Sequence, residues 1–299
     1  MNYNYVFSKH EQDVDVYYNF IFQREHYISQ VNSDDLNRIK TLFDAIKDYT
    51  SLLKSYNRIT CPIYYINMSH NKDRNEFMKN QLAHYSHNVT RIEGCNGSNI
   101  KDNKINGISF KNSKYQSIYE CAPNEIGCFM SHILSIKKAY DNGDEIAMIL
   151  EDDADLSLFN LNTPFDTFIK DAPSDWEMIN LFHINKNVNL QKHITPLGNT
   201  YLIHDSNDRG WSCVAYLINR KGMKRVLDKL TTNENGLTIL VISPIDHALH
   251  DSVNTYYIER DIVIPNNLNL QSTIHDNHTG WHINTILYTL EQYSKQLNV

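Results

Sequence analysis

Residues 146–153 read IAMILEDD, five apolar residues followed directly by three carboxylates. A short, continuous apolar run is typical of a strand that is buried on both faces of a sheet. Open α/β sheets bind their ligands outside the carboxyl ends of such strands. The stretch therefore predicts an α/β fold in which Glu151, Asp152 and Asp153 stand at the ligand-binding edge.

The segments that precede this stretch alternate between strand-like and helix-like patterns. Ile63–Ile66 predicts a buried strand, residues 71–84 predict a helix, and Val89–Ile92 predicts a short strand. A further helix is predicted to begin at Pro123, because proline suits a first helical turn, and to end at residues 141–143. Such alternation predicts a mostly parallel sheet with helices on both faces.

The rest of the chain continues this pattern less regularly. Residues 98–121 are polar and predict a long loop. Met178–Phe182 and Val214–Ile218 predict strands, and residues 220–230 predict a helix.

Residues 1–58 differ from the remainder, since they are polar and aromatic and contain neither glycine nor proline. Between Ser33 and Tyr56, apolar side chains recur at helical spacing, and the run from Ser33 to Asp35 can cap the helix start. We predict a helical N-terminal extension over residues 1–58 and one domain over residues 59–299. The extension can pack on that domain or form homodimer contacts.

Composition and charge exclude several classes of protein. The 299 residues are 41% hydrophobic and carry a net charge of -7, so a basic field for nucleic acid is not expected. No apolar run has the length of a transmembrane segment, and the polar N-terminus has no apolar leader. Five irregularly spaced cysteines predict reduced, buried thiols. Together these features predict a cytoplasmic protein.

The three carboxylates at residues 151–153 repel one another unless a cation lies among them. Hard ions such as Mg²⁺ and Mn²⁺ prefer oxygen ligands and also bind substrate phosphates. The run therefore predicts a site for a divalent metal and a diphosphate. A solvated acidic loop, or a cap on a following helix, is the alternative that the run leaves open.

Further motifs accompany the acidic run in a fixed order. They read IYYINMSHNKDR at 63–74, RIEGCNG at 91–97, EIGCFMSH at 125–132 and PID at 244–246. In this order and spacing they resemble glycosyltransferase family 25, a group of lipooligosaccharide and collagen sugar transferases. The resemblance covers roughly residues 59–275. The chain departs from the family at Asn96, where the family usually has an aspartate.

The resemblance implies a GT-A-type nucleotide-diphospho-sugar transferase, a three-layer α/β sandwich with a Rossmann-like first half. It implies a metal-dependent, inverting transfer of a hexose from a UDP-sugar, with galactose the first candidate and glucose the second. The acceptor would be a hydroxyl of a glycan or of a hydroxylysine in a collagen-like protein. The ion would be Mn²⁺ or Mg²⁺.

The resemblance also implies roles for individual residues. Asp153 would be the main metal ligand, with Glu151 and His275 as further ligands, and Asp246 would be the catalytic base. Contacts to the donor nucleotide, its ribose or metal-bound water would come from Ile66, Asn67, Arg74, Glu93, Asn96, Ser131, His132, Glu151 and Asp152.

Several of these residues also have a purely structural interpretation. Arg74 can be a solvent-exposed partner of a neighbouring acid, Asp73 or Glu76, and His132 can be a buried, hydrogen-bonded core residue. Asp246 can simply stabilise the start of the short helix that PIDHALHD predicts. In that case Glu125, at the start of the helix that holds His132, is the substitute base.

Two other functions fit parts of the pattern. A metal-dependent phosphohydrolase would use the same acidic run, although the sequence lacks a second cluster of His and Asp at metal-binding spacing. A non-catalytic domain that binds sugar or a partner protein would fit the segment around Asn96, where this chain departs from the family pattern. The retained acids at 151–153 and Asp246 argue against that alternative.

Overall fold

The computed structural model describes the protein over residues 33–53, 57–102, 104–110, 121–162, 164–184, 194–197, 200–204, 212–233, 236–240, 243–266 and 279–298. The strands are β1 (Ile63–Asn67), β2 (Val89–Glu93), β3 (Lys104–Ile105), β4 (Ile108–Phe110), β5 (Ile146–Glu151), β6 (Ala154–Asp155), β7 (Met178–Asn180), β8 (Ile194–Leu197), β9 (Thr200–His204), β10 (Ala215–Asn219), β11 (Thr231–Thr232), β12 (Thr238–Ile239), β13 (Thr255–Ile258) and β14 (Ile264–Pro265). The helices are α1 (Ser33–Ser51), α2 (Lys72–Tyr85), α3 (Pro123–Asp141), α4 (Phe165–Asp171), α5 (Arg220–Leu230), α6 (Ile245–His250) and α7 (Thr279–Leu297).

The largest sheet has eight strands in the order β2-β1-β5-β10-β7-β13-β9-β8. Strands β2, β1 and β5 are parallel to one another, as are β7 and β13. Strand β10 lies between β5 and β7 and is antiparallel to both, and β9 is antiparallel to both of its neighbours. The prediction of a mostly parallel sheet thus holds for the first three strands, whereas the complete sheet is mixed.

Strand β5 is apolar throughout because each of its faces meets a different hydrophobic cluster. Met148 and Leu150 point into a cluster to which helices α1, α2, α4 and α7 contribute. Ala147 and Ile149 point into a second cluster, to which α3, α5 and α6 contribute. Successive side chains of a strand point to opposite faces, so this division is the one that a strand covered on both sides requires. Helices cover both faces of the sheet, as predicted.

Of the helical extension predicted over residues 1–58, the structure describes the helix α1, which packs along α7, whereas residues 1–32 lie outside the described residues. Ile39, Phe43 and Ile46 are at most 3% exposed and belong to the same hydrophobic cluster as the sheet. Lys47 adds an ion pair to the buried Asp155, with 3.0 Å between Nζ and Oδ2. Of the two alternatives for this helix, the structure shows packing on the domain. Homodimer contacts and the boundary at residue 58 stay predictions.

None of the helices in the described ranges has the length and apolarity that crossing a membrane requires.

Replacing Phe43 with alanine is expected to destabilise the protein by about 3–5 kcal/mol, the usual cost of removing a buried aromatic ring. The affinity for UDP, the nucleotide that the resemblance implies, should not change per folded molecule, because α1 contributes no residue to the cleft described below. Thermal unfolding and UDP titration well below the melting temperature measure the two quantities. Leu52→Ala is the matched control, since Leu52 is 80% exposed. Weaker UDP binding by folded Phe43→Ala protein would show that residues 1–58 take part in the site.

Candidate active site

The carboxyl ends of three parallel strands meet at one edge of the sheet. In the strand register, Ile66 lies opposite both Glu151 and Ile92, and Asn67 lies opposite Glu93. The chain turns directly after Glu151, so Asp152 and Asp153 lie in that turn. The acidic run therefore stands at the edge where open α/β sheets bind ligands.

An open cleft lies at this edge. It is bounded by the ends of β1 and β5, by the loop at residues 94–97 and by helix α3. The structure brings nine of the predicted residues together on its walls: Ile66, Asn67, Arg74, Asn96, Ser131, His132, Glu151, Asp152 and Asp153.

Asp152 is held on both carboxylate oxygens by side chains of the protein. The Arg74 guanidinium donates to Oδ1, and the Asn67 side-chain amide donates to Oδ2 at 2.7 Å. Arg91 in turn donates to the Asn67 side-chain oxygen at 2.9 Å. Arg74 is 7% exposed, so the interpretation of Arg74 as a solvent-exposed partner of a neighbouring acid is wrong.

Asp153 has a carboxylate oxygen that the described residues leave unsatisfied. It is 7% exposed, and its Oδ1 atom is buried without a hydrogen-bond partner among the described residues. Its Oδ2 atom lies 3.6 Å from Arg74. Burial and then the charge of Glu151 raise the pKa of Asp153 to about 7, although Arg74 opposes this. A buried carboxylate with an unsatisfied oxygen is unfavourable until a cation or donor reaches it.

The net charge of the acidic turn fits a divalent ion. Glu151, Asp152 and Asp153 carry three negative charges when ionised, and Arg74 supplies one positive charge. Two negative charges are therefore left over, with carboxylate oxygens as the ligands that Mg²⁺ and Mn²⁺ prefer. Asp153 and Glu151 are the residues that would hold such an ion.

His132 connects helix α3 to Glu151 and to strand β10. Its Nε2 atom is 3.2 Å from Oε1 of Glu151, and its Nδ1 atom is 3.1 Å from the Tyr216 hydroxyl. The imidazole is fully buried and stacks on the Tyr216 ring. The interpretation of His132 as a buried, hydrogen-bonded residue is correct, and the residue also lines the cleft.

Helix α3 and the loop at residues 94–97 approach each other very closely. A Cβ atom on Gly127 would lie 2.4 Å from the Cys95 carbonyl oxygen, and one on Gly97 would lie 1.8 Å from the Pro123 carbonyl oxygen. Ser131 fixes the same contact, since its hydroxyl accepts a hydrogen bond from the Cys95 amide at 2.8 Å. Both glycines are needed because only hydrogen fits between the two backbones.

Replacing Gly127 with alanine is expected to lower the melting temperature, although alanine in a helix normally stabilises by about 1 kcal/mol relative to glycine. The new methyl group meets backbone that cannot rotate away, and overpacking costs about 1–3 kcal/mol. UDP binding should weaken as well, because the displaced loop lines the cleft. Lys137→Ala, at a more exposed position of the same helix, should change stability by less than about 0.5 kcal/mol. A higher melting temperature for Gly127→Ala would contradict this account of the contact.

Three of the predicted side chains are hydrogen-bonded within the protein: those of Glu93, Asn96 and the substitute base Glu125. Glu93 does not line the cleft, and its carboxylate accepts hydrogen bonds from Ser69 and Arg91. Asn96 lines the cleft, and its side chain accepts from the Ser98 amide at 2.9 Å. Glu125 accepts from the Ala122 amide at 2.7 Å and so caps the start of α3. A role of Glu93 or Asn96 in nucleotide binding stays a prediction.

Asp246 lies in the first turn of α6, the helix predicted from PIDHALHD, and is half-buried. Its Oδ1 atom accepts a hydrogen bond from the amide of His247 at 3.0 Å. Burial, and then carboxylates that include Asp246, raise the pKa of the thiols of Cys121 and Cys128. Cys128 lines the cleft, whereas Asp246 itself does not. His275, the predicted additional metal ligand, lies outside the described residues.

Sequence reasoning missed three residues that shape the site. Arg91 holds Asn67, Tyr216 holds His132, and the Cys128 sulfur lies 4.0 Å from Oε1 of Glu151. A signal existed for Cys128, because it precedes His132 by four residues and therefore shares its helix face. The sequence offers no comparable signal for Tyr216, which lies 65 positions after Glu151 and reads as an ordinary strand residue.

These features define an α/β protein with a mixed sheet and an acidic ligand cleft at the ends of its strands. The family model described as glycosyltransferase family 25 (LPS biosynthesis protein) matches residues 60–248, more than half of the chain. The chain belongs to this family, so the resemblance carried by its motifs is confirmed.

Curated relatives agree with this assignment. Procollagen galactosyltransferase 1-B of Xenopus laevis is 24% identical over 173 residues, 56% of this chain and 28% of the relative. Procollagen galactosyltransferase 1-A of the same species is 23% identical over 194 residues, 62% of this chain and 30% of the relative. Human procollagen galactosyltransferase 2 is 24% identical over 175 residues, 55% of this chain and 27% of the relative. The matched part thus spans less than a third of each of these relatives.

Proposed function

We propose that this protein is an inverting, metal-dependent glycosyltransferase that moves a hexose from a UDP-sugar to a hydroxyl acceptor. Membership of glycosyltransferase family 25 supports the reaction class, and the relatives named as procollagen galactosyltransferases favour galactose over glucose. The acceptor is a glycan or a hydroxylysine of a collagen-like protein. Cytoplasmic localisation and a GT-A-type fold belong to the same proposal.

The observation that carries the proposal is the buried, unsatisfied Oδ1 atom of Asp153 in the cleft. A bound Mn²⁺ or Mg²⁺ would stabilise the charge of the leaving diphosphate by several kcal/mol. Asp153 and Glu151 would hold this ion, whereas Asp152 is committed to Arg74 and Asn67. Asp152 therefore fixes the turn, and we propose that its remaining lone pairs hold ribose or metal-bound water.

The residues of the protein supply the remaining steps. The acceptor oxygen attacks the anomeric carbon, and its proton passes to the carboxylate of Asp246. The bond between the anomeric carbon and the diphosphate oxygen breaks, and UDP leaves with that electron pair. A single displacement inverts the anomeric configuration. A positioned carboxylate base of this kind contributes about 10²–10⁴-fold to the rate.

The proposal predicts acceptor-dependent release of UDP from UDP-galactose in the presence of Mn²⁺. The assay compares UDP-galactose with UDP-glucose, each without acceptor, with a hydroxylysine-containing peptide and with a lipooligosaccharide. EDTA should stop the release, because Asp153 then lacks its cation. Release of UMP and sugar phosphate without acceptor would instead indicate a phosphohydrolase, and donor binding without turnover would indicate a non-catalytic domain.

A further inference from the structure

A second group of metal-binding side chains lies on the cleft wall beside Glu151. Cys128 and His132 are four residues apart on α3, so both project from one face of the helix. One ligand atom from each of Cys128, His132 and Glu151 lies within 4.8 Å of those of the other two. Over the described ranges of the chain, this is the one set of three His, Cys, Asp or Glu side chains with that property.

The distances in this group approach those around a tetrahedral ion. The Cys128 sulfur is 4.0 Å from Oε1 of Glu151, and Nε2 of His132 is 3.2 Å from the same oxygen. Bonds of about 2.3 Å to sulfur and about 2.0–2.1 Å to nitrogen or oxygen place tetrahedral ligand atoms about 3.3–3.6 Å apart. Small rotations of the side chains are therefore enough to bring all three atoms onto one ion.

His132 is already oriented for such an ion by its second nitrogen. Nδ1 is 3.1 Å from the Tyr216 hydroxyl, and the ring is held against Tyr216 with 5.7 Å between ring centroids. Metal-binding histidines usually have their other ring nitrogen engaged in this way, which fixes the tautomer and the ring plane. When Nδ1–H donates to the Tyr216 oxygen, the Nε2 lone pair is directed at the position between Glu151 and Cys128.

The ligand types select a class of cation. A thiolate, an imidazole and a carboxylate are ligands typical of Zn²⁺, and three protein ligands leave a fourth position open. Mg²⁺ and Mn²⁺ prefer sites made of oxygen alone. Binding converts the Cys128 thiol to a thiolate and releases one proton, so the ion gains a sulfur ligand without any change of oxidation state.

We infer that Cys128, His132 and Glu151 form a binding site for a thiophilic divalent cation of the Zn²⁺ class, distinct from the oxygen ligand at Asp153. All three side chains line the cleft.

Cd²⁺ titration of the full, EDTA-treated chain tests the site without any donor or acceptor, so the result is independent of the proposed function. Cd²⁺ is a thiophilic probe whose thiolate complexes absorb in the ultraviolet. We expect one equivalent to produce a charge-transfer band that a large excess of Mg²⁺ does not remove. Absence of the band, or its loss on addition of Mg²⁺, overturns the inference.

Variants assign the ligands. Cys128→Ser should lose the band, and Cys95→Ser, which removes the other thiol of the cleft wall, should keep it. Tyr216→Phe should keep the band but weaken Cd²⁺ binding by about 10–100-fold, the usual effect of removing an outer partner of a ligand. A band that survives in Cys128→Ser, or is lost in Cys95→Ser, overturns the assignment. If Cys128→Ser does not fold, X-ray absorption of the wild-type complex decides: one sulfur ligand supports the site, and none or two contradict it.

Discussion

Replacing Asp153 with asparagine is expected to abolish sugar transfer while leaving the protein folded. Asparagine has the shape of aspartate, but it removes the charge that we propose to hold the cation. Metal stabilisation of a leaving diphosphate is worth several kcal/mol, and each 1.36 kcal/mol corresponds to a tenfold change in rate. Turnover should therefore fall by about 10³-fold or more, and Mn²⁺ should no longer strengthen UDP binding.

The stability of this variant distinguishes a lost ligand from a damaged fold. Asp153 lies buried beside Glu151, and that burial and charge raise its pKa to about 7. A neutral amide removes this repulsion, so the variant in EDTA should unfold at the same temperature as the wild type or a higher one. UDP binding with and without Mn²⁺ is measured by calorimetry. Full activity of Asp153→Asn, or undiminished wild-type activity in EDTA, would refute the proposed role.

Asp155→Asn is the matched control for this experiment. Asp155 is also buried and only two residues further on, but its carboxylate pairs with Lys47 and accepts from the Ser157 amide. It does not line the cleft. Its replacement should lower stability and leave metal-dependent UDP binding intact, the opposite pattern to Asp153→Asn.

Replacing Asp246 with asparagine should reduce transfer by about 10²–10⁴-fold while donor binding is retained. The acceptor hydroxyl would lose the group that we propose takes its proton, whereas the cleft proposed to hold the donor keeps all of its residues. Rates at saturating UDP-galactose and the affinity for UDP separate these two effects. Asp251→Asn, at the other end of the same short helix, should retain near-normal turnover.

A structural role for Asp246 predicts a different outcome. Asp246 accepts the His247 amide in the first turn of α6, so its loss would then lower thermal stability with near-normal turnover per folded molecule. Glu125 is the substitute base in that case, and Glu125→Gln would show the rate loss instead. The capping bond from the Ala122 amide to Glu125 argues for the structural role of Glu125.

The elements that could be predicted from the sequence are those whose pattern depends only on burial. The apolar runs at β1 and β5 and the helix between Pro123 and Asp141 lie where the pattern placed them. Strand direction could not be predicted in this way, because the apolar run at Val214–Ile218 looks the same whichever way β10 runs. The mixed character of the sheet follows from that reversed strand.

The candidate site, too, could be predicted from the sequence only in part. The position of the acidic run at a strand end follows from the sequence, but the different environments of Asp152 and Asp153 do not. Asp152 is neutralised by Arg74, which lies 78 positions earlier in the chain, and adjacency in sequence says nothing about that pairing. Only the packing of α2 against the sheet leaves Asp153 as the carboxylate with an unsatisfied oxygen.

Strand β5 contributes side chains to both hydrophobic clusters, so it should be among the last parts of the molecule to unfold. Neither layer of helices can separate from the sheet without exposing one face of this strand. The amide hydrogens of β5 should thus belong to the most cooperative unit of the structure and exchange with solvent only through global unfolding. The carboxylates that follow β5 are then anchored to the slowest-opening part of the molecule. The cleft floor should therefore keep its geometry until the whole molecule unfolds.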